Sequence, residues 1–333
     1  MKAQYTSGHS MWNRDSMGKA KKHIILACLA YGVILLCRAG YGQADNNEFA
    51  PEILRVGYST KFLNDVGVAD AQVALELWTR ELSKSAMPML KMQPKPLIYD
   101  NLQSIVNALK NREIDLIAIT ALDYLKIKDK VPLEPALSAS RQGGVDGDEL
   151  VLLVRREQQI TDLSQLKGKK LTIHAGYMLD TASFWLSTVM ATMNLPEQER
   201  FFGSVREVKK VSQAVLPVFF KQADACLVSK NSFKTMVELN PQIGKELMVL
   251  LTSDKFMYGM LCFHRYLSAD VKKQVTKSAL NMHTTSTGKQ ILTLFQIDSI
   301  TPFKMSLLDS TVALLDKHNY TEGRLLVKKR REQ

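Results

Sequence analysis

The stretch Leu102–Thr120, LQSIVNALKNREIDLIAIT, decides the fold class of this 333-residue chain. Its first half places Ile105, Val106 and Leu109 on one face of a helix. Its second half, from Ile114 onward, is an almost continuous apolar run, which is typical of a strand buried on both faces of a parallel sheet. A helix that leads directly into such a strand is the repeating unit of α/β folds.

The same alternation of strand and helix extends from this stretch in both directions. On the N-terminal side the pattern predicts strand Ile53–Gly57, a helix with Ala71, Leu75, Trp78 and Leu82 on one face, and short strand Leu97–Tyr99. Further along the chain it predicts strand Lys170–His174, a helix from about Thr181, a strand near Arg200–Val205, a helix from Ser212 and strand Ala223–Val228. Two extended segments and a group of helices then close the chain.

The alternation breaks near Val131–Pro135, which separates two α/β units. We therefore predict an α/β protein with a two-lobed architecture, each lobe a mostly parallel sheet flanked by helices, joined by two extended hinge crossings. The hinge candidates are Leu137–Ser140 and Leu250–Ser253. In this division lobe 1 begins with residues 45–137, lobe 2 spans residues 138–252, and residues 253–333 return to lobe 1 and end in helices.

Residues 1–44 are predicted to be an N-terminal extension and a cleavable signal peptide. Lysines at the start of the signal, the apolar run Ile24–Leu36 and the small residues of Gly42-Gln43-Ala44 follow one another in the expected order. We expect export to the periplasm with cleavage near Ala44, and Met17 is an alternative start. A retained membrane anchor is the other interpretation, although the run is shorter than the about 20 residues that span a bilayer.

The formal net charge of +11 is reduced to +6 in the mature chain, because residues 1–44 hold six basic residues and one acidic residue. The excess is dispersed in short clusters such as Lys328–Arg331, and no basic helix interleaved with aromatic residues is present. This dispersion argues against nucleic acid as a partner.

Of the four cysteines, Cys28 and Cys37 fall within the signal, and Cys226 and Cys262 remain in the mature chain. They are either buried free thiols or one disulfide, which an oxidising compartment allows. Cys262 with His264 is the nearest approach to metal-ligand spacing, and it lacks further ligands, so no metal site is expected. The sequence also lacks a nucleophile elbow, a glycine-rich phosphate loop and a dinucleotide fingerprint, so we expect no cofactor and no enzymatic activity.

Ligands of open α/β sheets bind outside the carboxyl ends of strands, where helix N-termini present free N–H groups. The predicted strand ends are rich in hydroxyl and aromatic side chains, which suit a small polar ligand. The candidate ligand-binding residues are Tyr58, Ser59, Thr60, Tyr99, Thr120, Tyr177, Asp180, Thr181, Ser183, Ser212 and Ser229. For Asp180 and Ser212, helix capping is an equal alternative.

Four motifs occur along the mature chain in a familiar order: Leu54–Gly57 (LRVG), Ile105–Leu116 (IVNALKNREIDL), Asp162–Leu171 (DLSQLKGKKL) and Gln222–Ala225 (QADA). This order resembles the type II periplasmic binding proteins, and within them the phosphate, phosphite and phosphonate (PhnD-like) substrate-binding family of ABC transporters. The second motif is similar to the family's "ALxxGxIDL" step, with Arg112 in place of the glycine. The third matches its "DLxxLKGKxv" lead into the second lobe.

The departures from the family pattern fall on the ligand site. In place of a Gly-Ser-Thr-Ser-Gly stretch the chain has Met178–Ala182, where only Thr181, with Ser183 nearby, keeps a hydroxyl. Asp180 adds a negative charge there, which would repel an oxyanion. A histidine common in the family before the next helix is replaced by Val211–Gln213.

The resemblance implies a monomeric periplasmic substrate-binding protein that closes two lobes over a small phosphate- or phosphonate-like solute and presents it to an ABC permease. Two alternatives stay open. The first is a periplasmic enzyme of the dehydratase kind, which would need Asp180 and His174 as an acid–base pair. The second is a ligand-binding module that feeds a sensor protein in the inner membrane.

Overall fold

The computed structural model describes residues 53–63, 72–77, 80, 93–141 and 146–331. The predicted signal sequence and the predicted helical positions Ala71, Trp78 and Leu82 lie outside these residues. Within them, no helix is both long enough and apolar enough to cross a membrane.

Eleven strands and ten labelled helices are described. The strands are β1 Ile53–Ser59, β2 Gln93–Tyr99, β3 Leu116–Ile119, β4 Leu133–Ser140, β5 Asp148–Arg155, β6 Lys170–His174, β7 Ser204–Glu207, β8 Ala225–Ser229, β9 Leu247–Phe256, β10 Met260–His264 and β11 Ser299–Pro302. The helices are α1 Leu102–Lys110, α2 Ala121–Ile127, α3 Leu179–Thr192, α4 Gln198–Phe201, α5 Val211–Phe219, α6 Lys230–Leu239, α7 Pro241–Glu246, α8 Ala269–Leu280, α9 Ser286–Leu294 and α10 Asp309–Arg331. Residues 72–77 are also helical.

The stretch that predicts the fold class forms α1 and β3. Asn101 caps α1 by accepting a hydrogen bond from the Ser104 N–H at 2.9 Å. Arg112, just after the helix, has a φ of 55°. An L-residue adopts this left-handed conformation at a cost, which explains why the family pattern has glycine at this position.

The strands form two sheets, with orders β11-β4-β10-β3-β1-β2 and β7-β6-β8-β5-β9. We refer to each sheet with its flanking helices as lobe 1 and lobe 2. The α/β class and the presence of two sheets are confirmed, but each sheet is mixed and not mostly parallel. Pairs joined through helices are parallel, namely β1–β2, β1–β3, β6–β7 and β6–β8. Strands next to a crossing between the sheets pair antiparallel, because they enter or leave a sheet in the reverse direction.

The chain leaves the lobe 1 sheet at the end of β4 and enters the lobe 2 sheet at Asp148, and it returns between Phe256 and Met260. We call these two passages the crossings. The predicted hinge segments Leu137–Ser140 and Leu250–Ser253 lie inside β4 and β9, so each crossing follows them by a few residues. The two crossings lie side by side: a Cβ at Gly147 would lie 2.2 Å from the Phe256 carbonyl oxygen. Glycine is therefore required where the two passages meet.

One strand of lobe 2 and the position of the C-terminal helix differ from what the sequence predicts. The strand predicted near Arg200–Val205 begins only at Ser204, because Gln198–Phe201 forms α4. The C-terminal helix α10 is not confined to lobe 1, since Leu314 packs into the lobe 2 core while Leu315 packs against the lobe 1 core.

Cys226 and Cys262 are buried free thiols. They lie in different sheets, on β8 and β10 respectively. Burial raises the pKa of both thiols above the ordinary range. Of the two alternatives left by the sequence, the structure has free thiols.

Candidate functional site

A polar cavity of about 350 Å³ lies where the carboxyl edge of the lobe 2 sheet meets the crossings. Its chemistry comes from basic, acidic and hydroxyl side chains. We call it the cleft cavity, and its polar lining consists of Arg141, Asp148, His174, Lys209, Lys210, Ser229, Ser232, Thr235, Tyr258 and Gln296. A volume of this size fits a small solute and is at the lower end of the range for ligand sites.

Sheet topology brings these residues to one edge. The parallel strands β6 and β8 end there at His174 and Ser229. The antiparallel strand β5 begins at the same edge, since Leu150 is paired with Ser229 and Asp148 precedes it. Asp148 is also paired with Phe256 at the end of β9, which places Tyr258 beside it. Crossing residues therefore contribute to the site together with the ends of the parallel strands.

Asp148 is the one carboxylate in this lining, and the protein's own groups already bind it. It is only 4% exposed, and it accepts hydrogen bonds from the backbone N–H groups of Glu149 at 2.9 Å and Asn231 at 3.3 Å. Burial raises the pKa of the Asp148 carboxyl, and hydrogen bonds from Ser229 and these amides partly offset the shift. Asp148 therefore occupies the N-terminus of α6 as an internal anion.

Arg141 is the buried cation of the cleft cavity. It is 4% exposed, and its guanidinium lies 5.2 Å from the ring centroid of Tyr258. Burial raises the pKa of Tyr258 to about 12, with a further contribution from the nearby Asp148 carboxylate, so the phenol is neutral. Stacking on the ring holds the guanidinium in place at the entrance to both crossings.

The cleft cavity has a positive balance. Arg141, Lys209 and Lys210 contribute three positive charges and Asp148 one negative charge, which leaves +2 with His174 counted as neutral. The two lysines are exposed and immediately precede α5, while Arg141 is buried. Such a lining attracts an anion and repels a cation.

Beside the cavity, a lysine connects the two lobes. Lys61, in the turn after β1, forms an ion pair with Asp123 of α2 at 2.8 Å and another with Asp180 in the first turn of α3. Burial alone would lower the pKa of Lys61, but the two carboxylates together outweigh it and raise the pKa above its ordinary value. One ammonium group thus faces two carboxylates, so Lys61 offsets the charge of Asp180 only in part and the three side chains together keep one negative charge.

A second cavity of about 90 Å³ lies between the lobe 1 sheet and its helices. We call it the lobe 1 cavity. Its lining is almost entirely apolar: Val56, Tyr58, Leu75, Leu116, Ala118, Leu137, Ser138, Ala139, Arg141, Gly259, Met260, Leu261, Ala279, Phe295, Ile297 and Ile300. The hydroxyl of Tyr58 is buried there, and within the described part of the chain it has no hydrogen-bond partner. Burial also raises the pKa of Tyr58 above its ordinary range.

A buried hydroxyl without a partner destabilises the ligand-free fold. We expect Tyr58→Phe, which removes this oxygen and keeps the ring, to raise the free energy of unfolding of the ligand-free protein by about 1 kcal/mol. Urea unfolding measures the change. Tyr124→Phe, at a buried tyrosine whose hydroxyl is not among the unpartnered atoms, is the control and should bring no such gain. A loss of stability in Tyr58→Phe would contradict the expectation.

The candidate residues from the sequence separate into four groups. Ser229 lines the cleft cavity while also capping α6, Tyr58 lines the lobe 1 cavity, and Asp180 pairs with Lys61. The others line neither cavity. Thr120 caps α2, Thr181 is buried in α3, Ser212 lines a separate surface groove, Tyr99 packs against the core beside α1, and Ser59, Thr60 and Ser183 are absent from both linings. The side chain of Tyr177 lies outside what the structure describes.

Sequence reasoning missed Arg141, Asp148, Lys61 and Tyr258. The rule that selected candidates follows strand ends that lead into helices, and Arg141, Asp148 and Tyr258 lie instead at the crossings and at the start of an antiparallel strand. A usable signal was present: the charged residues Arg141 and Asp148 flank the glycine-rich segment 142–147.

In the described part of the chain, no group of three or more His, Cys, Asp and Glu could hold a metal ion.

Residues 71–308 match the family model described as the phosphonate periplasmic substrate-binding protein of ABC transporters. This match covers more than half of the chain. A search among curated protein sequences found no match.

Solved structures show the same architecture at low sequence identity. A binding-protein component of an ABC phosphonate transporter from Pseudomonas aeruginosa has a TM-score of 0.58 at 14% identity, covering 81% of this chain and 87% of that chain. PhnD1 from Prochlorococcus marinus, in complex with methylphosphonate, has a TM-score of 0.56 at 16% identity, covering 81% and 99%. XAC2383 from Xanthomonas citri, bound to ATP, has a TM-score of 0.60 at 13% identity, covering 82% and 99%. Similarity at these identities establishes a shared fold.

Proposed function

Because the chain belongs to the family of periplasmic substrate-binding proteins of phosphonate ABC transporters, we propose that it captures a small phosphonate- or phosphate-like anion in the cleft cavity. Proteins of this family bind a small-molecule ligand in the periplasm and deliver it to a membrane permease. We further propose that this chain acts as a monomer without enzymatic activity, after removal of a signal peptide near Ala44.

The observation that carries the proposal is the charge balance of the cleft cavity. One buried guanidinium and two exposed ammonium groups face a single carboxylate that backbone amides already bind. A phosphonate group placed there gains charge-assisted hydrogen bonds from Arg141 without having to displace Asp148. The PhnD1 structure holds methylphosphonate, which makes this compound the natural first probe.

The lobes would close over the anion by movement at the two crossings between the sheets. Arg141 and Tyr258 belong to these crossings, so a ligand that contacts them also restrains the hinge. Lys61 and Asp180 would then hold the lobes together beside the ligand.

Calorimetric titration of the mature chain, residues 45–333, with methylphosphonate, inorganic phosphate and glycine tests the proposal. We expect the two anions to bind and glycine not to bind. Arg141→Gln should weaken anion binding about 30-fold, which corresponds to the loss of one charge-assisted hydrogen bond of about 2 kcal/mol. The exposed Arg156, which lines neither cavity, supplies the control Arg156→Gln with unchanged affinity.

Since Arg141 is buried, its replacement can also affect folding. The double variant Lys209→Gln/Lys210→Gln changes only exposed side chains and should weaken anion binding by several-fold, more strongly at low salt than at high salt. Binding of glycine in preference to both anions, or unchanged anion affinity in a folded Arg141→Gln protein and in the double-lysine variant, would refute the proposal.

A further inference from the structure

The two cavities adjoin at three points of the chain. Arg141 lines both of them. Tyr258 lines the cleft cavity and Gly259 the lobe 1 cavity, and likewise Gln296 lines the first while Phe295 and Ile297 line the second. Arg141 therefore borders both cavities, and at two other places neighbouring residues of the chain line different cavities.

The two cavities have opposite chemistry. The cleft cavity carries a net positive lining, whereas strand and helix side chains give the lobe 1 cavity an apolar lining. Tyr58, which is 6% exposed, lines the lobe 1 cavity. Its buried hydroxyl has no hydrogen-bond partner among the described residues. A ligand oxygen or nitrogen that reached this depth would satisfy it.

We infer that the two cavities form one site for an amphiphilic anion, whose charged head lies in the cleft cavity and whose organic group enters the lobe 1 cavity. This inference rests on the proposed function and narrows it to phosphonates or phosphate monoesters that carry an apolar substituent. A water molecule needs about 10–15 Å³ of such space, so 90 Å³ accommodates a substituent of about six non-hydrogen atoms. A linear alkyl chain or a phenyl ring has this size.

Packing supports a ligand subsite over a simple void. Close-packed interiors rarely leave a gap of several water volumes, and an unfilled gap costs dispersion contacts. The gap here also faces a tyrosine hydroxyl, adding the cost of an unsatisfied donor. An organic group that fills the gap recovers the dispersion contacts, and one that ends in an oxygen would also accept a hydrogen bond from the Tyr58 hydroxyl. The anion attached to this group would be held next to Arg141.

The test is a calorimetric series of n-alkylphosphonates, from methyl to hexyl, with the mature chain. We expect affinity to rise two- to fourfold with each added methylene until about six non-hydrogen atoms are buried. Ala118→Leu, which fills the lobe 1 cavity, should abolish this rise while leaving methylphosphonate affinity unchanged. Ala136→Leu is the matched control, because Ala136 is a partly buried strand alanine of lobe 1 that does not line the cavity.

The outcomes separate this inference from the proposed function. If methylphosphonate binds but longer chains bind no more tightly, the inference is wrong and the proposed function stands. If no phosphonate binds while hexan-1-ol raises the melting temperature of the wild type, the inference and the proposed function are both wrong, because the apolar cavity would then bind a ligand that has no anionic group. Should Ala118→Leu fail to fold, Ala139→Leu, at another partly buried residue of the same lining, provides the same test.

Discussion

Replacing Lys61 with glutamine is expected to lower the free energy of unfolding by about 3 kcal/mol. The side chain of Asp123 is only 2% exposed, and both of its carboxylate oxygens accept hydrogen bonds from Lys61 Nζ, at 3.0 and 2.8 Å. Without the ammonium group, the buried Asp123 carboxylate has no counter-ion. An unpaired buried charge is strongly destabilising, because its lost hydration is no longer offset by the attraction of the ion pair. Chemical unfolding of the mature chain measures the loss.

Two further variants identify the origin of this effect. Asp180→Asn removes only the pair between the lobes, and because the Asp180 side chain is 40% exposed it should cost less than 1 kcal/mol. Lys61→Gln/Asp123→Asn replaces both members of the buried pair by neutral groups and should recover much of the stability. If Lys61→Gln and Asp180→Asn destabilise equally, the buried pair with Asp123 is not the source.

The same Lys61→Gln variant also bears on lobe closure. The substitution removes the ion pair between Lys61 and Asp180, which connects the turn after β1 with α3. X-ray scattering of the ligand-free variant should therefore report a larger radius of gyration than that of the wild type. Lys126 of α2 in lobe 1, which lies 5.5 Å from the ring centroid of Phe184 in α3 of lobe 2, supplies a second contact between the lobes. Because this contact remains, we expect the opening to be partial.

Asp115→Ala is expected to be the most destabilising single replacement, by about 4 kcal/mol. The Asp115 side chain is fully buried before β3 and accepts hydrogen bonds from the Arg55 backbone N–H at 2.6 Å, from Arg55 Nε at 3.0 Å and Nη2 at 2.7 Å, and from the Tyr266 hydroxyl. The hydrogen bond to Asp115 raises the pKa of Arg55, and burial raises that of Tyr266. Removal of the carboxylate takes the acceptor from all four hydrogen bonds. Arg55 Nη2 keeps a hydrogen bond to the Tyr266 hydroxyl at 3.1 Å, and that hydroxyl keeps one to the Ile114 carbonyl at 3.3 Å.

Thermal and urea unfolding of Asp115→Ala check this expectation. Tyr266→Phe removes one of the four hydrogen bonds and should cost about 1 kcal/mol. Asp129→Ala is the matched control, since the Asp129 side chain is 84% exposed and pairs with Lys128 at 3.6 Å, so its replacement should be close to neutral. Asp115, Arg55 and Tyr266 line neither cavity, and a folded Asp115→Ala protein should therefore keep its affinity for methylphosphonate in the cleft cavity.

The candidate site was predictable only in part. The end of a parallel strand that runs into a helix leaves a local signature, and that signature selected Ser229, which lines the cleft cavity. It also selected Thr120, whose hydroxyl accepts the Asp123 N–H at 3.2 Å as a helix cap. Capping and ligand binding use the same hydroxyl side chains at the same helix positions, so a sequence pattern alone does not separate them.

The sequence by itself determined the α/β class and the presence of two α/β units, because helical periodicity and continuous apolar strands are local properties of the chain. Its four motifs carried the resemblance to the family, which the family model confirms. What the tertiary structure decided is which charges meet. Lys61, Asp123 and Asp180 are distant in sequence, and only the folding of the two lobes brings them together, so that the two carboxylates share one ammonium group. Likewise, antiparallel pairing of β5 with β8 and β9 places Asp148 and Tyr258 at the edge where β6 and β8 end. Strand direction and ion pairing are long-range properties, and for this reason the cleft cavity is visible in the structure and not in the order of residues.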